Sequence, residues 1–265
     1  MTYRSTASRT TANLLTFGVV LLAFALHPEA MAQEEGGADS LTLKNLILQG
    51  GWAMIPLGIC SLAVITLFVY NGIQLIRSKF APLDVQAAVM EQMQACRVRS
   101  AIEISATSPT FLGRMLAHSL PKVDATDPDT LGRDHVEDAM AEFTTKESRG
   151  YMTWIGYFSI LAQVSPMIGL LGTVSGMIKA FAKLQQEGGA NPESLAGNIS
   201  EALVTTATGL IVAIPALFGY FFFKNKLTRL IADSHSAETD MLEASIHAVN
   251  ADQYMAKVPE GLQVS

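Results

Sequence analysis

Long apolar runs alternate with polar stretches along this chain, and their spacing predicts helices throughout. Residues 52–76, 151–183 and 198–223 are each apolar over more than the roughly 20 residues needed to cross a bilayer. A shorter run from Leu14 to Leu26 follows Arg4 and Arg9 and precedes Ala30-Met31-Ala32. A basic start, a short apolar core and a small-residue site predict a signal peptide over residues 1–32, cleaved after Ala32, with a retained helix as the alternative. Residues 33–51 then form an acidic segment whose leucines at 41–49 have the spacing of a helix lying at a membrane surface. Residues 77–150 are polar with helical periodicity (Val85, Val89, Met93; then Val136, Met140, Phe143) and contain no alternating strand pattern. The last of these helices starts near Thr130, and between Val136 and Tyr151 only Gly150 interrupts its pattern, so it is expected to run on into the second apolar stretch. The expected fold is an all-α integral membrane protein with three transmembrane helices, a helical region at 77–150, a loop at 184–197 and a tail at 224–265.

Charge orients this arrangement. Arg77 and Lys79 follow the first apolar stretch, and Lys224, Lys226 and Arg229 follow the third. The 184–197 loop has Glu187 and Glu193 and neither lysine nor arginine. The positive-inside rule therefore places the mature N-terminus outside the cytoplasm and the C-terminus inside it.

Two of the apolar stretches are unlike plain anchors. At about 100° per residue, Ala162, Pro166, Gly169, Thr173, Gly176 and Ala180 share one helical face, and Ala202, Thr206, Gly209 and Ala213 share another. Small faces let helix backbones approach closely in lipid, where hydrophobic burial gives no net drive between helices. Gly169, Gly172, Gly176, Gly209 and Ala213 are accordingly expected to serve packing. Thr173 and Thr206 each place a hydroxyl at the centre of such a face, able to bond within its own helix or to line a water file. Glu201 is the carboxylate within the paired helices. Two readings fit it: a titratable or charge-paired group on an ion path, or an interfacial glutamate that is solvated or paired with a lysine. Lys179 and Lys183 are expected to snorkel to the outer boundary.

Composition adds mostly exclusions. The chain has 265 residues, 49% of them hydrophobic and 16% charged, and a mean hydropathy of +0.30, as a membrane protein would. A formal net charge of −6 gives no reason to expect nucleic acid. Cys60 and Cys96 lie in different settings without metal spacing, and the five histidines are scattered, so neither a disulfide framework, a metal nor a cofactor is expected. Ser175 has no histidine on any spanning stretch to act as its base, and no phosphate loop or nucleophile elbow occurs, so no enzyme is expected.

The stretch Ala162-Gln163-Val164-Ser165-Pro166-Met167-Ile168-Gly169-Leu170-Leu171-Gly172-Thr173-Val174-Ser175-Gly176-Met177, followed by Glu201-Ala202-Leu203 through Pro215, resembles the paired helices of the ExbB/TolQ/MotA proton-channel family, most like ExbB. The resemblance covers about a quarter of the chain closely. It implies a homopentamer around a central pore that encloses the single helices of two copies of a smaller ExbD/TolR-like protein. It also implies that Glu201 matters for activity, that Thr173 and Thr206 line the pore, and that the proton-carrying aspartate belongs to the partner. The function so implied is that of an ExbB-like subunit of a proton-driven motor in the bacterial inner membrane, energising outer-membrane uptake through a TonB-like protein. A TolQ-like envelope-maintenance motor and a non-conducting oligomeric scaffold are the alternatives. MotA-like stators have four spanning helices, one more than are counted here.

Overall fold

The computed structural model describes residues 51–124, 126, 127, 129–186 and 192–250. The expected signal peptide, the acidic segment and the surface helix at 41–49 lie outside the described residues. All regular elements among the described residues are helical. They are α1 (Met54–Gln74), α2 (Arg77–Phe80), α3 (Leu83–Gln94), α4 (Val98–Thr107), α5 (Phe111–Ser119), α6 (Arg133–Gln186) and α7 (Pro192–Val249), with 3-10 turns at Gly51–Ala53 and Leu120–Lys122. Three of these helices, α1, α6 and α7, are long and apolar enough to cross a membrane.

Helix α1 buries Leu57, Cys60, Val64, Leu67 and Asn71, a single stripe at three- and four-residue spacing. Its opposite side is equally apolar, with Ile55, Ile59, Leu62, Ile65, Val69 and Ile73 all exposed. A helix apolar all round and only partly covered by protein has hydrocarbon as its remaining solvent. Pro56 sits in its first turn, where the missing N–H would have had no partner, and Asn71 satisfies its buried amide by donating to the Leu67 carbonyl at 3.0 Å.

Helix α6 continues through Gly150 without a break and runs for 54 residues, and α7 runs for 58. At about 1.5 Å per residue each is roughly 80 Å or more long, against a hydrocarbon core of about 30 Å, so more than half of each helix extends beyond the hydrocarbon. Pro166 and Pro215 lie inside these helices without ending them. A spanning helix tolerates this because neighbouring helices and hydroxyls satisfy the freed backbone groups.

The chain divides into two compact units, one of residues up to Ile55 with 169–208 and the other of 56–168 with 209–265. In the larger unit α6 and α7 pair antiparallel: Arg133 reaches Glu243 at 3.5 Å, the Thr144 hydroxyl meets His235 Nε2 at 2.7 Å, and Phe158 stacks on Phe223 at 5.6 Å between centroids. The short helices α3–α5 fold onto this pair through Val89, Met93, Ala101, Leu112, Met115 and Leu116, all buried. Phe80 stacks on Phe111 at 4.2 Å, fastening α2 to α5. Thr110 caps α5 by accepting the Gly113 N–H at 3.1 Å.

The membrane half of this unit is held by aromatic packing. Phe158 is fully buried and meets Phe68 edge-on at 5.0 Å as well as Phe223. Gly219 makes room for it, since a Cβ there would lie 2.8 Å from both Phe158 and Phe68. Truncation by Phe158→Ala leaves a ring-sized hole that lipid chains cannot enter, and is expected to cost about 3 kcal/mol. The corresponding fall in the melting temperature of the detergent-solubilised protein is about 6–12 °C.

Candidate functional site

The smaller unit brings the 3-10 turn at Gly51–Ala53 together with the end of α6 and the start of α7. Here too the long helices run antiparallel, and glycine sets their distance. A Cβ on Gly172 would lie 2.8 Å from the Thr205 Cβ and 3.2 Å from the Ala53 Cβ. On Gly176 it would lie 2.9 Å from the Ala202 Cβ and 3.1 Å from the Asn198 carbonyl oxygen. The contacts under 3.0 Å are closer than side-chain carbons come and the other two are tight, so the two backbones approach closely because these positions have no side chain.

Hydroxyls fill the seam. Thr205 is 1% exposed and donates to the Ala202 carbonyl of its own helix at 2.8 Å. Thr206, half-buried beside it, donates across the seam to the Gly169 carbonyl at 3.1 Å. Thr173 is also half-buried but donates to Leu170 within α6 at 2.6 Å. The structure thus couples Thr206 to the opposite helix and leaves Thr173 bonded to its own. Gly169, Gly172 and Gly176 are buried in this unit, and Gly209 and Ala213 are buried in the other.

Glu201 forms an ion pair with Lys179, Oε1 to Nζ at 3.0 Å, three turns of α6 beyond Gly169. Lys179 does not simply extend away to the boundary. It neutralises the carboxylate while keeping about half of its side chain exposed. Gly51, at φ +61°, lies directly over the same carboxylate, where a side chain would collide with Glu201 Oε1. Next to it, Trp52 Nε1 donates to the Ser175 hydroxyl at 3.2 Å, which fastens the 3-10 turn to α6. Spacing along the sequence did not single out Thr205, the Trp52–Ser175 bond or the position of Gly51. The Gly50-Gly51 pair, which ends the helical spacing of the leucines before it, is the local signal next to this turn.

Chemically the site offers one carboxylate already paired with an ammonium, and a hydroxyl–carbonyl contact at Thr206 and Gly169. After Glu201, α7 carries no further carboxylate until Asp233. A proton crossing the hydrocarbon beside α7 therefore has no acid on this helix to rest on between those two positions.

Residues 61–236 match the MotA/TolQ/ExbB proton channel family. The biopolymer transport protein ExbB of Xanthomonas campestris is 36% identical over 99 residues, covering 37% of this chain and 39% of that protein. The exbB1 protein of Vibrio cholerae is 26% identical over 221 residues, 79% of this chain and 87% of that protein. ExbB of Pseudomonas putida is 24% identical over 193 residues, 71% of this chain and 57% of that protein. The stretch shared with the Xanthomonas protein thus spans about two-fifths of that relative's length. With a family match that takes in all of α2–α5 and most of the three apolar helices, this chain belongs to the MotA/TolQ/ExbB proton channel family and is most like ExbB.

Proposed function

We propose that this chain is the ExbB-like subunit of a non-enzymatic, proton-driven motor in the bacterial inner membrane. Five copies surround a pore that holds the single spanning helices of two ExbD-like partners. A TonB-like protein carries the resulting movement across the periplasm to energise outer-membrane uptake. The signal peptide is removed, the mature N-terminus is periplasmic, and the basic flanks of α1 and α7 lie in the cytoplasm.

The observation that carries this reading is the seam between α6 and α7 in the smaller unit. Thr206 joins the two backbones by a hydrogen bond to Gly169, and the charge of Glu201 is matched by Lys179. Such a wall is polar enough to accompany a proton and supplies no acid of its own beyond Glu201 along the rest of the span. A carboxylate brought by a partner helix would complete the path. Each proton moved through 100 mV releases about 2.3 kcal/mol, so a few protons suffice for a mechanical step.

The same ion pair favours one competing reading, a scaffold whose small faces serve assembly alone, because a paired Glu201 is already accounted for structurally. Native mass spectrometry of the complex, extracted gently from the membranes of its own cell, separates the two. Five copies carrying a smaller single-helix subunit are the expected result. A partner-free species that persists in several mild detergents would overturn the motor.

A further inference from the structure

The end of α7 carries a buried polar stripe that the membrane site does not use. Ser234, Glu238 and Ser245 lie on one face at spacings of four and seven residues, and each is at most 1% exposed. Ser234 donates to the Leu230 carbonyl of its own helix at 2.9 Å. Glu238 meets the hydroxyl of Ser119, the last residue of α5, which is itself fully buried. Its other oxygen, Oε2, has no hydrogen-bond partner, and neither has the Ser245 hydroxyl.

Burial and the Ser119 hydroxyl, and no neighbouring charge, set the balance at this carboxyl. From α5 the ionisable groups are Arg114, paired with Glu147 of α6 at 2.6 Å, and His118, whose ring lies against Phe143. From α6, Arg133 binds Glu137 at 2.7 Å and Glu243 at 3.5 Å. On α7 itself His235 bonds Thr144, and burial pushes its pKa below the usual imidazole range. Asp240 is exposed on α7, and Lys122 is exposed beyond α5.

Burial and the unserved oxygen favour the neutral acid. A serine hydroxyl has one proton to give. Ser119 Oγ lies 2.9 Å from the Met115 carbonyl and also against Glu238 Oε1. With Glu238 ionised, Ser119 can turn its proton to Oε1 while its own backbone N–H keeps the Met115 carbonyl, but a buried charge then stands with Oε2 given no donor. With Glu238 protonated, the carboxylic acid donates to Ser119 Oγ, Ser119 donates to Met115, and no buried charge remains.

We infer that Glu238 and Ser119 form a proton-binding site outside the membrane, a latch that holds α5 against α7 while Glu238 is a neutral acid and loosens when it ionises. The ligand is a proton of the solution that bathes α5. The inference requires neither the pore nor a partner, only that these segments lie outside the hydrocarbon.

Burial, partly offset by the Ser119 hydroxyl, pushes the pKa of Glu238 from the ordinary 4.5 up to about 7. The folded state therefore holds its proton more tightly than the unfolded one. The latch is strongest below the ordinary value, weakens as pH rises from 4.5 to about 7, and loses nothing further from this group above that.

The test is infrared titration of the full chain in lipid nanodiscs, without partners, alongside hydrogen exchange of the α5 peptides. The wild type is expected to show an un-ionised carboxyl band that disappears with a midpoint near 7, and E238Q to lack it. Local opening of α5, corrected for intrinsic exchange, should rise by up to about tenfold per pH unit across the same window in the wild type and stay level in E238Q. Identical spectra, or an E238Q protein that keeps the wild-type pH dependence, would overturn the site. Should E238Q not fold, S119A decides: loss of the acceptor must move the band, and an unmoved band also overturns it.

Discussion

Glu201→Ala is expected to abolish partner-dependent energisation while leaving the protein in the membrane and its oligomer assembled. The structural cost of the change is small. Lys179 keeps about half of its side chain exposed, so its ammonium turns to water once the carboxylate is gone. An ion pair that open contributes about 0–1 kcal/mol. Truncation also relieves the close approach of Gly51 and crowds nothing. A complete loss of uptake, measured beside an unchanged native mass spectrum, would therefore belong to the carboxylate's chemistry and not to folding. Glu201→Gln, which keeps the shape and removes the charge, should fail equally. Thr206→Val, nearly isosteric, removes the donor to Gly169 and should lower energisation with little change in assembly. If Glu201→Ala retains wild-type uptake, the scaffold reading replaces the motor.

What the sequence made legible was set by periodicity. Three spanning helices follow from apolar length alone, and α6 runs through Gly150 because nothing else near that point breaks a helix. The small faces were visible for the same reason, but the line along which they touch was not. Thr205 and Thr206 are only about 100° apart on a helix, so both fall within reach of one interface. Contact with Gly172 makes Thr205 the buried member and Thr206 the bridging one, and only the crossing of α6 and α7 decides that order. Thr173 sits one residue beyond Gly172, rotated off the seam, and bonds within its own helix.

Charged and polar residues were harder to place. Lys179 reads as a snorkelling lysine when α6 is considered alone, because its partner Glu201 is brought opposite only by the antiparallel hairpin. Glu238 reads as an ordinary polar residue of an amphipathic tail. Its burial comes from α5, more than a hundred residues earlier, whose docking face is fixed by Leu112, Met115 and Leu116 and not by any pattern in α7.

The most damaging single change predicted for this protein is Gly172→Leu. In lipid the two helices gain nothing from hiding apolar surface, because the surrounding chains are as apolar as leucine. They are held by close contact and by the few polar bonds that contact permits. At Gly172 even a methyl group would sit 2.8 Å from the Thr205 Cβ and 3.2 Å from Ala53, all of them close to the backbone and unable to swing aside. Gly172→Ala alone is thus expected to cost about 1–3 kcal/mol by overpacking. Leucine must force the seam open, and the Thr206–Gly169 and Lys179–Glu201 bonds lie within two turns of the wedge. Both should break, with loss of the Trp52–Ser175 contact and a shift in tryptophan emission. Exchanging the glycine to the other helix distinguishes a packing effect from a general one. Thr205→Gly opens the space that a methyl at 172 requires, so G172A/T205G should melt above the sum of its single variants' losses, a coupling of about 0.5–3 kcal/mol. Gly150→Ala, where nothing lies within 4 Å of the added carbon, should be neutral or stabilising by up to about 1 kcal/mol, since alanine is the better helix former. If Gly172→Ala melts with Gly150→Ala, glycine is not what sets the distance between α6 and α7.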